Sequence, residues 1–132
     1  MKPIQLTILL VSISVLFATC KKEETDFREK YTGSYLFTID VTCDNMIANC
    51  DTSYSHRGII QLSNNEDNVV IQFEQDNSIE PKIENNQHLI QKLDVYQDDN
   101  LGKFLNEDNV VFDIRTGGRA AGMYRHVVGK KI

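Results

Sequence analysis

The sequence predicts an all-β fold, a small antiparallel up-and-down barrel or a β-sandwich of about eight strands. Three observations lead there. Apolar residues recur with a period of two through Tyr35, Phe37, Ile39 and Val41, through Val69, Ile71 and Phe73, and through Val110, Phe112 and Ile114. Polar clusters punctuate the chain at Ser63–Asn68, Asn85–Gln87, Gln97–Asn100 and Asn106–Asn109. No helix-length segment separates the strands, which argues against a parallel α/β sheet.

Taken in order, the elements begin with a leader. Met1-Lys2 is a short basic start, Ile8–Ala18 is apolar, and Ala18-Thr19-Cys20 offers a small-residue cleavage site. Together these read as a secretory signal peptide over residues 1–19. An eleven-residue apolar stretch spans only about 16 Å as a helix, roughly half a bilayer core. Residues 20–30 form a charged spacer, and residues 31–132 the β domain. Late in the spacer, Thr25 or Asp26 caps a short helical turn through Phe27–Tyr31, ended by Gly33. Phe27 and Tyr31, four apart, are placed to plug an opening in the fold.

Ser34–Thr42 is the clearest amphipathic strand, with Ser34, Thr38, Asp40 and Thr42 opposite its aromatic face. Arg57–Leu62 and Val69–Glu74 form a hairpin. Ser78–Glu84 is a weaker strand in which Pro81 demands an edge or a bulge. His88–Tyr96 returns with Leu89, Leu93 and Val95 on one face, and Gly102–Leu105 is short. Val110–Ile114 comes next, and Thr116-Gly117-Gly118 reads as a flexible break. Ala120–Gly129 closes the domain, alternating Met123/Arg125/Val127 against Tyr124/His126/Val128.

Leu16-Phe17-Ala18-Thr19-Cys20 resembles a bacterial lipobox, with Phe17 where that family prefers Leu and Thr19 where it prefers Gly or Ala. The resemblance implies cleavage before Cys20 and acylation (palmitate among the acyl groups) of its thiol and new amine. The next four residues, Lys21-Lys22-Glu23-Glu24, resemble the start of mature Bacteroidetes-type lipoproteins. That likeness implies an outer-membrane location, on the periplasmic face or the cell surface. Two or three acyl chains suffice for stable anchoring, where one does not. Tyr31-Thr32-Gly33-Ser34-Tyr35 is similar to the opening of a lipocalin-like barrel, with Tyr35 in place of that family's Trp. The closing Tyr124–Lys131 resembles the last strand of small Bacteroidetes lipoproteins.

The chain has three cysteines. Acylation of Cys20 leaves Cys43 and Cys50, with six residues between them. In an oxidising compartment they are expected to form a disulfide. The rivals are two free thiols, or a metal held with Asp40, Asp44, Asp51 or His56. Cys-x6-Cys is not a zinc spacing, so no metal is expected.

Formal charge is −5, and −6 after loss of Lys2 with the leader. That balance argues against nucleic acid as a partner. His56, His88 and His126 are scattered over three strands without a metal or catalytic spacing, and no Gly-x-Ser-x-Gly elbow occurs. Asp94, Asp98, Asp99 and Asn100 read as a solvated turn, lacking the EF-hand order. Thr116-Gly117-Gly118-Arg119, with Arg115 nearby, reads as a hairpin turn before an anion cradle. The expected function is therefore non-catalytic binding without a cofactor. Tyr35, Phe37, Val69, Phe73, Val110 and Phe112 would line an interior for a small apolar ligand. The alternative is an acidic outer face that binds a protein or carbohydrate outside the cell, similar in outline to bacterial inhibitors of lysozyme. An enzyme has the weakest support.

Overall fold

The computed structural model describes residues 25–43, 50–84, 87–93, 99–118 and 121–132. The leader, Cys20 and the Lys-Lys-Glu-Glu tetrad lie outside the described residues. A 3-10 turn, Glu29–Tyr31, precedes β1 (Gly33–Cys43), β2 (Thr52–Leu62), β3 (Val69–Gln72), β4 (Ser78–Ile79), β5 (Lys82–Glu84), β6 (His88–Ile90), β7 (Asn100–Phe104), β8 (Asn109–Gly118) and β9 (Ala121–Lys131). All pairings are antiparallel, in the order β4-β3-β2-β1-β9-β8-β7-β6-β5. The first and last strands are neighbours, with Phe37 opposite Gly129 and Val41 opposite Arg125. The sheet is all-β and barrel-like.

Its two ends are joined by the chain itself. β4 pairs with β3 through Ile71↔Ile79 and Gln72↔Ser78. That register runs on past Pro81. The Val69 N–H donates to the Pro81 carbonyl (3.1 Å), Asn68 bridges to Lys82, and the Ile83 N–H donates to the Asp67 carbonyl (2.8 Å). On its other side β5 pairs with β6. β4 and β5 are thus one strand interrupted at Pro81, which has no N–H to give. Counted this way there are eight staves among the described residues, and the sheet curls on itself, although Thr52–Arg57 of β2 and Asp113–Gly118 of β8 are each paired on one side only among those residues.

Alternation decides which side chains enter. Tyr35, Phe37, Ile39 and Val41 of β1 are buried while their neighbours face water. Opposite them, Val110, Phe112, Ile114 and Val127 complete the packing. Phe37 meets Phe112 edge to face (6.4 Å between centroids), and Phe73 meets Phe112 the same way (5.5 Å). Room for the Phe37 ring comes from two glycines. A Cβ on Gly129 would sit 2.6 Å from Phe37 Cε1, and one on Gly58 2.8 Å from Phe37 Cε2. Truncating a ring in such a centre costs about 3–5 kcal/mol.

Four elements differ from the sequence expectation. β2 starts at Thr52 rather than Arg57, because β1 supplies hydrogen-bond partners to the polar run Thr52–Ser55. The predicted break at Thr116-Gly117-Gly118 is the end of β8, paired with β9 through Gly117↔Gly122 and Gly118↔Ala121. Phe27 stays 49% exposed, so Tyr31 alone plugs the barrel, stacked 4.0 Å from Phe104. The predicted strand His88–Tyr96 is shorter: β6 ends at Ile90, Gln91–Leu93 are not strand, and 94–96 lie outside the described residues.

Candidate binding mouth

Strand direction sorts the connections to two ends. Residues 25–32, the β2–β3 turn and the β7–β8 turn gather where β1 begins. The Cys43–Cys50 disulfide, the β3–β4 turn, the end of β8 and the start of β9 gather where β1 ends.

The first end is sealed. Arg28 is 6% exposed and is used on every side. Its Nε (2.9 Å) and Nη2 (2.6 Å) donate to the Asp26 carboxylate, and Nη1 donates to the carbonyls of Asn65 and Asn68 (both 2.6 Å) and of Ser63 (3.3 Å). The Arg28 guanidinium and its backbone N–H hold the Asp26 carboxyl down at about 2. Beneath them the Tyr35 hydroxyl donates to the Tyr31 carbonyl (2.8 Å), with the Glu107 carbonyl at 3.2 Å. Burial, with the negative charge of Asp108 adding to it, pushes that phenol up to about 12. An open depression of about 610 Å³ lies beside this plug, lined by Phe27, Tyr31, Asp67, Lys82, Ile83 and Glu84, with Gln87 at its edge. Its lysine is already engaged, 3.5 Å from Glu84 and 4.0 Å from Asp67.

The other end is open among the described residues. A depression of about 350 Å³ runs into it between β4 and β8. Its floor is apolar, made by Phe73, Ile79, Leu93 and Ile114, and its polar wall includes Thr116 and Arg125. Arg125 reaches it because β9 places that residue opposite Val41 on one side and Ile114 on the other, both buried. Opposed residues of an antiparallel pair share a face, so the guanidinium belongs to the interior row. Arg125 Nη1 donates to Thr116 Oγ1 (3.2 Å). The Tyr54 hydroxyl donates to the Glu74 carboxylate, which pushes its pKa up, and the nearby Arg125 guanidinium works against that rise. Arg115 stands at the rim, its guanidinium 5.2 Å from the Tyr124 ring centroid.

Of the predicted lining residues, Tyr35, Phe37, Val69, Phe73, Val110 and Phe112 are all buried in one cluster. Only Phe73 among them also lines the open mouth. Cys43 and Cys50 are bonded, with Cα atoms 5.8 Å apart, and Cys50 packs against the core. The histidines are not brought together: His126 pairs with Asp113 (2.6 Å) on the outer face, and His88 lies 3.5 Å from Asn100. Asp94, Asp98 and Arg119 lie outside the described residues. Among the described residues no cluster of three or more acidic, His or Cys side chains is arranged to hold a metal ion. Sequence reasoning left Arg125 out of the site. Its one signal was a cation standing in the apolar row Met123/Arg125/Val127. Compared with protein-family models, curated proteins and solved structures, the chain matches none.

Proposed function

We propose that this protein is an exported, non-catalytic binding module, lipid-anchored through Cys20 at the outer membrane, that takes a small apolar ligand at the open end of its barrel. One observation carries the reading. At the disulfide-bearing end, Phe73, Ile79, Leu93 and Ile114, apolar side chains from four separate segments, line one depression. Its volume of about 350 Å³ is at the lower end of the range of roughly 300–1,000 Å³ found for small-molecule sites. The waist is filled by its own rings, so the ligand sits above Phe73 and Phe112 rather than between them. The larger depression at the sealed end suits a ligand less well, because its charged groups satisfy one another.

The test is binding of radiolabelled decanol to the full chain in lipid nanodiscs, with protein-free nanodiscs subtracted. Ile114→Glu, on the floor, should abolish saturable binding, and Ile59→Glu, on the outer face, should leave it intact. Equal binding by both variants would refute the site. Labelling with palmitate, wild type against Cys20→Ala, tests the anchor: loss of label is expected, and an unchanged label would refute it.

A further inference from the structure

On the reading just given, we propose that the ligand is an amphipathic carboxylate, its anionic head held by Arg125 and its apolar body laid on Phe73, Ile79, Leu93 and Ile114. A neutral apolar ligand would need none of the polar construction that surrounds this arginine. The backbone register fixes Arg125 in the interior row of β9, between two buried aliphatic side chains. Its guanidinium carries five N–H donors. The protein gives it one hydrogen bond, to Thr116 Oγ1 on β8, and sets the Tyr54 hydroxyl of β2 near it. Arg125 Nε is shielded from water and has no acceptor among the described residues. Arg125 makes no ion pair among those residues either. The carboxylate of Glu74 is kept one hydroxyl away, as the acceptor from Tyr54. Glu74 therefore orients Tyr54, Thr116 orients the guanidinium, and the positive charge remains for a guest.

Arginine suits such a guest. Its planar fork matches a carboxylate bidentately, and a low-dielectric floor strengthens the pairing. Two neutral neighbours and one cation leave the wall able to accept a single negative charge. The floor disfavours a fully polar anion, which would cover Phe73 and Ile114 without making apolar contact.

The probes are decanoate and decanol, identical in chain and different in head charge at pH 7, bound to the full chain in nanodiscs with the same subtraction. Wild type should hold decanoate at least ten-fold tighter than decanol. Arg125→Met should remove that preference and keep decanol binding. Arg125→Lys should restore part of it. Tyr54→Phe, which removes the neighbouring hydroxyl while preserving the ring, should reduce it several-fold without a change in thermal melting. Equal affinity for both probes in wild type would overturn the anionic head and leave the apolar mouth standing. A decanoate preference that survives in a folded Arg125→Met would also overturn it. Failure of either probe to bind saturably would overturn the mouth, and this inference with it.

Discussion

Each end of this barrel is built around an inward arginine, and the two are treated in opposite ways. Arg28 at the sealed end gives its donors to Asp26 and to three carbonyls of the β2–β3 turn. Arg125 at the disulfide end has two neutral neighbours and a shielded Nε with no acceptor among the described residues. A buried cation is tolerable where the fold returns its hydrogen bonds, and that is the signature of a structural plug. A cation left short of acceptors above an apolar floor weakens the fold and gains only when something else arrives. The contrast separates a cap from the proposed binding site without reference to depression size, since the larger of the two depressions lies at the capped end.

The contrast is sharpest in stability. Arg28→Met should lower the midpoint of chemical unfolding more than any other change here, because it leaves the carbonyls of Ser63, Asn65 and Asn68 without their donor. Arg125→Met should be neutral or slightly stabilising, within about 1 kcal/mol, because the apolar replacement removes an unsatisfied donor. Similar losses from both would erase the distinction between the ends. Reduction of the Cys43–Cys50 bond should come next, at about 2–3 kcal/mol for so short a ring, read as a lower midpoint in denaturant with reductant present. Unchanged midpoints would show that the β1–β2 connection needs no staple.

The smallest effect is in acid. Asp26 is held at about 2 against an ordinary 3.8, so the unfolded chain takes up that proton first as pH falls. The stability contributed by the Asp26–Arg28 pair is complete above about pH 4 and is lost as pH falls towards 2. In Asp26→Asn this part of the acid titration should vanish while the rest remains. An identical acid limb in both proteins would detach the pair from the sealed end.

Much of this fold was legible because a half-buried strand writes itself as alternation. Tyr35 to Val41 and Val110 to Ile114 announced their inner faces, and Pro81 announced the interruption between β4 and β5. Thr52–Ser55 gave no such sign, because strand pairing with β1 rather than apolar period holds it in place. The site was less legible. The aromatic residues of the predicted lining pack against one another as core, and a sequence cannot say whether inward rings meet each other or a guest. Arg125 was visible in the row Met123/Arg125/Val127, but only the register shows that this row faces inward. Its significance depends on Thr116, Tyr54 and Glu74 arriving from three other segments, which only the register brings together.

The most direct test of the open mouth is an amide chemical-shift map of the folded protein titrated with decanoate. The account predicts shifts that saturate together at Phe73, Ile79, Ile114, Thr116 and Arg125, with Tyr31, Arg28 and Phe104 unmoved. Saturating shifts centred on the Tyr31 plug, or no saturating shifts at the mouth, would contradict it.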